Sequence, residues 1–166
     1  ADEIFGGYTF RYSKFLNSIN DNSSPIEKVK AYLQCHERDW VPDQENLFGN
    51  KSKFSWNQIN DILKPFFDNS LSSLDQLFLA DFNGKLKNNF IPNYEKFYNF
   101  FKISSISPFL EDSIIEEGLR ISPEEKYDSS KNIGKLPLRK LISEHVSSLL
   151  FPKLKQGFAV NTSSLW

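Results

Sequence analysis

Two acidic residues near one end of the sequence are the first candidates for chemistry. Asp2 and Glu3 lie just before a glycine pair, Gly6-Gly7. Adjacent carboxylates beside a glycine turn can hold Mg²⁺, which prefers hard oxygen ligands and takes only one or two of them from a protein. A solvated acidic segment is the alternative, and composition alone favours that alternative.

A basic turn near the other end is the second candidate. Lys153, Lys155 and Gly157 follow Pro152 in the string FPKLKQGF. A lysine in a turn can stabilise a phosphate or a developing oxyanion as a point charge. The alternative is an exposed basic turn after a helix, because cations are favoured near the last carbonyls of a helix. Composition alone again favours the alternative.

A second basic pair, Lys135 and Arg139, flanks the predicted start of a helix. A cation is unfavourable at a helix N-terminus, where the helix dipole is positive. The placement therefore predicts that these side chains have a partner elsewhere in the fold.

Residues that commonly act as nucleophiles or metal ligands are scarce. One cysteine and two histidines exclude an internal disulfide framework and a Cys/His zinc cluster. The position of His36 on an apolar helix face is typical of a core or boundary histidine, and we interpret His145 in the same way. Cys35 has no neighbour that would activate it, so we predict a buried thiol. No Walker A or G-x-G-x-x-G nucleotide motif is present.

The composition is that of a single soluble domain. The chain has 166 residues and a net charge of −1, with 39% hydrophobic and 25% charged residues. The near-neutral charge argues against a nucleic-acid partner. No apolar run approaches the ~18–20 residues that span a bilayer, and no signal peptide is visible. We therefore predict a cytoplasmic protein with no membrane partner.

Apolar spacing predicts a mainly α fold of about five to seven helices, with no sustained alternating strand. Caps and breakers place helices over 8–18, 25–38, Ser55 to Pro65, Ser72 or Ser73 to near Gly84, 112–119, and Pro137 to Pro152. Segments 41–54, 84–94 and 121–134 are polar and are predicted to be loops or irregular.

Four strings, in the same order along the chain, resemble conserved strings of the asparagine synthetase family. ADEIFGGY resembles the end of SGEGADELFGGY, and SPFLED at 107–112 resembles R-V-P-F-L-D. Lys135-x-x-Leu138-Arg139 resembles K-x-x-L-R, and LKQGFAVNTSSLW at 154–166 resembles R-x-K-x-G-F…W. Each string alone is weak, but the ordered set spans the whole sequence.

The resemblance implies a fold and a domain arrangement. Residues 1–166 would be a single fragment, the helical C-terminal portion of an α/β ATP pyrophosphatase (PP-loop) domain. The nucleotide loop SGGxDS, the parallel strands and a glutaminase domain would belong to upstream parts of a longer parent chain. The fragment alone is then expected to be inactive and to expose apolar surface, so we expect it to bind a hydrophobic dye or form homo-oligomers.

The resemblance also implies an activity. Such enzymes use ATP and Mg²⁺ to adenylate the carboxylate of aspartate, release pyrophosphate, and let ammonia from glutamine attack the acyl-adenylate. By position, Asp2 matches the metal-binding aspartate and Lys155 the lysine that stabilises charge during the reaction. Gly157 would shape the turn beside Lys155 and contribute to cofactor binding. Glu3 follows the same motif without a defined role.

Several positions depart from the family pattern. Ser104 and Ile106 replace a Glu and an Arg, and Glu95-Lys96 aligns with an Asp-Arg pair. Lys153 replaces an Arg, so bidentate geometry is lost there. These departures leave two alternatives: the same adenylating core acting on another carboxylate or amine, or a non-catalytic helical module that binds a partner.

Overall fold

The computed structural model describes residues 1–36, 51–53 and 55–146, which are mostly helical, as predicted. No helix in this part of the chain is both long and apolar enough to cross a bilayer. The helices are α1 (Asp2–Phe5), α2 (Thr9–Ser18), α3 (Pro25–Cys35), α4 (Trp56–Leu63), α5 (Ser73–Ala80), α6 (Ile91–Phe101), α7 (Asp112–Arg120), α8 (Pro123–Lys126) and α9 (Leu136–His145). Short 3₁₀ turns lie at Lys64–Phe66 and Pro108–Leu110, and a π-helical segment spans Asp81–Phe90.

The N-termini of three predicted helices form where their caps indicate. Ser24 and Glu27 make a complete capping box before α3: the Ser24 backbone N–H donates to Glu27 Oε2 at 2.7 Å, and Glu27 N–H donates to Ser24 Oγ. Ser55 caps α4 and Ser72 caps α5 through their side-chain oxygens. These helix starts are set locally, because each cap satisfies backbone donors of its own first turn.

Two expectations of irregular structure were wrong. Segment 121–134 holds α8 and a two-residue hairpin, and segment 84–94 lies within the π-helical segment and the start of α6. The hairpin pairs Tyr127 with Gly134 in antiparallel register. Contacts distant in sequence explain the second error, since Leu86 is buried against Ile4 and Phe5. The predicted loop 41–54 falls almost entirely outside the described residues.

Buried side chains form two clusters. The larger one joins α2, α3, α5 and the hairpin, and includes an edge-to-face contact between the Tyr12 and Tyr127 rings at 5.2 Å. The smaller one contains Ile4, Phe5 and Leu86, with Leu138 of α9 packed against it. The smaller cluster therefore fixes α1 against the π-helical segment and the helix that follows the hairpin.

We expect Gly118→Ala to destabilise the fold. A Cβ at Gly118, on α7, would lie 2.2 Å from Cγ2 of the buried Ile4. Alanine gains about 1 kcal/mol of helix propensity over glycine, but overpacking a core costs about 1–3 kcal/mol. Because the 2.2 Å contact is a severe overlap, the steric cost lies at the upper end of that range, and the net loss in unfolding free energy should be about 2 kcal/mol, measured by urea denaturation. Ser113→Ala, on the exposed part of α7, is the control; a Gly118→Ala protein as stable as this control would contradict the packing.

Candidate active site

The first turn of the chain presents Asp2 at the start of α1 and then reverses sharply. Gly6 ends α1 in the left-handed region, with φ of 74°, and the Gly7 N–H donates to the Asp2 carbonyl at 2.8 Å. Glycine adopts positive φ without the steric cost that a side chain adds. The turn therefore folds Gly7 back over the residue that carries the candidate metal-binding carboxylate.

Lys135, which is far from Asp2 in sequence and immediately precedes α9, forms an ion pair with Asp2. Its Nζ lies 2.5 Å from Asp2 Oδ1. Lys135 has a φ of 57°, and its backbone N–H donates to the Phe5 carbonyl at 3.1 Å, which ties the start of α9 to α1. The expectation that this basic pair has partners is confirmed, because Arg139 Nε also donates to the Gly134 carbonyl at 2.9 Å.

Two glycines allow this close approach. A Cβ at Gly134 would lie 1.9 Å from the Gly6 carbonyl oxygen, so the hairpin packs directly on the turn. A Cβ at Gly7 would lie 1.9 Å from Asp2 Oδ1 and 2.6 Å from Lys135 Cε. Only glycine fits at these two positions. The space left by the missing side chains lets the Asp2 carboxylate and the Lys135 ammonium come into contact.

We expect Gly7→Ala to separate the Asp2–Lys135 ion pair. The new methyl group would overlap both partners, so at least one of them must move. If the pair is part of an active site, turnover should fall by at least about tenfold, because small misplacements of catalytic groups cost up to about 100-fold. Steady-state kinetics and a thermal melt of the complete protein measure the two effects. Ser70→Ala, in an exposed turn, is the control, and unchanged kinetics in Gly7→Ala would contradict this expectation.

Glu3 has a different environment from its neighbour. Its side chain is only 5% exposed and accepts a short hydrogen bond from the Tyr8 hydroxyl. Burial is the largest cause that raises the pKa of Tyr8 well above its usual range, and this hydrogen bond is the second largest. The phenol therefore remains a donor at any ordinary pH, and Glu3 stabilises the turn through Tyr8.

A cavity of about 860 Å³ opens beside the ion pair. Asp2 and Lys135 line it together with Glu95 of α6 and with residues 105–111, which include most of the SPFLED string. Three of the four strings that carry the family resemblance thus meet around one space. Its volume is typical of a small-molecule site.

The remaining candidates from the sequence lie elsewhere. Lys155 and Gly157 fall outside the described residues, so their roles stay predictions. Cys35 is buried, as predicted, and burial is the main cause that raises the pKa of its thiol to about 12. His36 lies at the boundary of the core, also as predicted, with Nε2 3.1 Å from Asp81. The interpretation of His145 as a core or boundary residue was wrong, because its side chain is exposed at the end of α9.

The donor set around the cavity fits Mg²⁺ only in part. Within the described ranges, no group of three His, Cys, Asp or Glu side chains could hold a metal ion. Mg²⁺ often takes a single protein carboxylate and completes its shell with water and substrate phosphates. Asp2, with a side chain 28% exposed at the cavity, can act as that carboxylate, whereas Glu3 is engaged with Tyr8.

Comparison with known proteins shows which family this chain belongs to. The family model described as asparagine synthase matches residues 1–166. The chain belongs to the asparagine synthase family. Members of the asparagine synthase family are carbon–nitrogen ligases and are in general ATP-dependent. Searches of curated proteins and of solved structures gave no significant match.

Proposed function

We propose that this chain forms part of the synthetase site of an ATP-dependent amide ligase. The enzyme adenylates the side-chain carboxylate of aspartate and transfers ammonia to it, giving asparagine. The observation that supports this most strongly is the Asp2–Lys135 ion pair at a cavity that is also lined by residues of the SPFLED string. A carboxylate, a lysine and a small-molecule space occur together beside strings that carry the family resemblance, which supports the proposal.

In this proposal the lysines, and the Mg²⁺ that Asp2 would hold, compensate the negative charge that arrives with ATP. Asp2 would hold Mg²⁺, which when bound neutralises charge on the phosphates as pyrophosphate leaves. Lys135 orients the Asp2 carboxylate and adds a second positive charge at the cavity. Lys155 would stabilise the charge that develops when the carboxylate attacks the α-phosphate and again when ammonia attacks the acyl-adenylate. Gly157 would leave room for the turn beside Lys155.

Pyrophosphate exchange into ATP tests this function directly. The complete protein, including any upstream nucleotide-binding half, is expected to catalyse exchange that depends on both aspartate and Mg²⁺. The isolated 166-residue chain is expected to show none, because the nucleotide loop is not in its sequence. Aspartate-independent exchange, or no exchange by the complete protein with any carboxylate, would contradict the proposal.

A related ligase for another carboxylate is a second candidate. Ile106, where the family has an Arg, is 86% exposed and lines the cavity. An apolar side chain at this position cannot pair with a charged group of aspartate, and it would suit a less polar substrate. The same exchange assay with a panel of carboxylates in place of aspartate distinguishes the two ligases.

The proposed partners are the upstream half of the synthetase domain and a glutaminase domain. Exposed rings on one helix are consistent with such a partner: on α6, Phe97 is 65% and Phe100 80% exposed. Apolar patches of this kind commonly mark interaction sites. A non-catalytic helical module would also expose them, so dye binding and oligomeric state of the isolated chain must be read together with the exchange assay.

A further inference from the structure

A second cavity, of about 510 Å³, lies on the other side of Tyr8 from the candidate active site. It is enclosed by α2, α3, α4 and the π-helical segment. Tyr8 and Phe90 line both cavities, and so form the wall between them. The proposed ligase function uses nothing in this second cavity.

Among the described residues that line the second cavity there are two cations and no carboxylate. Arg11 comes from α2 and Lys85 from the π-helical segment. Among the described residues, neither side chain has an Asp or Glu oxygen within 4.0 Å. The described residues that line the cavity include no acidic side chain. The described part of the cavity wall therefore carries a net positive charge.

The Arg11 guanidinium packs on an aromatic ring, and two of its nitrogens have no hydrogen-bond acceptor among the described residues. Its Cζ lies 4.7 Å from the Tyr8 ring centroid, and Lys85 Nζ lies 3.3 Å from the same centroid. Arg11 Nε and Nη1 are buried from solvent with no hydrogen-bond partner in the described part of the chain. Buried donors left unpaired cost about 1–3 kcal/mol each, so a shift of the Arg11 side chain that turns them toward an acceptor bound in the cavity gains free energy.

The nearest buried acid does not neutralise the two cations directly. Asp81 is fully buried and accepts a hydrogen bond from the Tyr32 hydroxyl at 3.0 Å, with His36 Nε2 at 3.1 Å. Burial is the largest cause that lowers the pKa of His36, so the ring is neutral at pH 7. Asp81 thus lies behind the wall formed by Tyr32 and His36, and it fixes those rings rather than Arg11 or Lys85.

We propose that the second cavity binds a small organic oxyanion, a carboxylate or phosphate group joined to an apolar body. The planar fork of Arg11 matches the two oxygens of such a group, and Lys85 adds a point charge. Side chains of Asn88 and Asn89 offer further amide donors at the rim. The rest of the wall is apolar, from Tyr32, Leu33, Ile59, Ile62 and Leu63. This site is independent of the proposed ligase chemistry.

The surroundings of Lys85 make the protonation of its ammonium group sensitive to a bound anion. Burial and then the charge of Arg11 lower the pKa of Lys85 to about 8, while Asp81, Glu3 and Asp2 oppose the shift. An anion bound beside the ammonium favours its protonated form. Affinity for a carboxylate should therefore be highest below pH 8 and fall as the pH rises from 7 to 9.

Calorimetric titration of the complete protein at low salt tests the site. The probes are phenylacetate, phenyl phosphate and inorganic phosphate, with 2-phenylethylamine as a cation of similar shape. We expect at least one phenyl-bearing oxyanion to bind, and the amine not to bind. Tighter binding of phenyl phosphate than of phenylacetate identifies a phosphate-bearing ligand, and the reverse identifies a carboxylate.

Two independent variants locate the binding. Arg11→Gln and Lys85→Gln should each weaken it by at least about tenfold, whereas Lys14→Gln, an exposed cation on α2 one turn from Arg11, should change it less than twofold. Circular dichroism confirms that each variant is folded. The proposal is overturned if neither phenyl-bearing oxyanion binds at 10 mM, the amine binds equally well, or both folded variants retain full affinity.

Discussion

Asp2→Asn in the complete protein is expected to lower kcat/KM by about 100-fold or more while barely changing stability. Asparagine keeps the shape of the side chain but loses the charge that pairs with Lys135 and would hold Mg²⁺. Replacing a residue that only hydrogen-bonds to a metal ligand lowers metal affinity or activity by about 10–100-fold. Replacing the ligand itself should lower activity at least as much. The pair is partly exposed, with side chains 28% and 36% exposed, so its loss should cost less than about 1 kcal/mol of stability.

The Mg²⁺ dependence separates a metal role from a purely structural one. If Asp2 holds the ion, Asp2→Asn should need much more Mg²⁺ for half-maximal pyrophosphate exchange. Asp21→Asn, an exposed carboxylate in the turn before α3, should behave like the parent protein in both assays. Normal turnover in Asp2→Asn, or a large loss with an unchanged Mg²⁺ requirement, would remove the metal role from Asp2.

Lys155→Ala is expected to lower turnover by at least about 100-fold, with the loss mainly in kcat. A lysine aimed at developing negative charge acts in the transition state more than in the ground state, and removing one such group costs about 100- to 1,000-fold. Single-turnover measurements of pyrophosphate release at saturating ATP separate this loss from weaker binding of ATP.

The control for this variant is Lys140→Ala, which removes an exposed cation from α9. Its turnover should stay within about twofold of the parent, since an exposed single charge contributes little. Near-normal turnover in Lys155→Ala would exclude that lysine from the mechanism. It would leave Lys135 as the basic residue at the cavity on which the proposal depends.

Features that depend on neighbouring residues were predictable from the sequence. The Ser24–Glu27 capping box and the side-chain caps of Ser55 and Ser72 formed as expected, because these contacts close within one helical turn. Burial of Cys35 followed equally well from helical spacing. The sequence was also sufficient for the family, because its motifs preserve order along the whole chain.

Features that depend on distant contacts were not predictable. Segment 84–94 looked polar and irregular, and its helical winding is stabilised by burial of Leu86 against α1, far away in sequence. The hairpin has strands of two residues, too short to show alternation. The sequence indicated that Lys135 needs a partner, but only the fold identifies Asp2. The second cavity gave no sequence signal, since Arg11 and Lys85 belong to no motif.

The separation of the ion-paired residues along the chain has a consequence for synthesis. Asp2 and Lys135 are about 130 positions apart, so closing that loop carries an entropic cost that contacts among the intervening residues must offset. Contacts between residues so far apart in sequence slow folding. During translation Asp2 emerges well before Lys135 and remains without its cation until the hairpin and α9 have left the ribosome. Any nascent chain that stalls before residue 135 therefore lacks the ion pair, however well its earlier helices have formed.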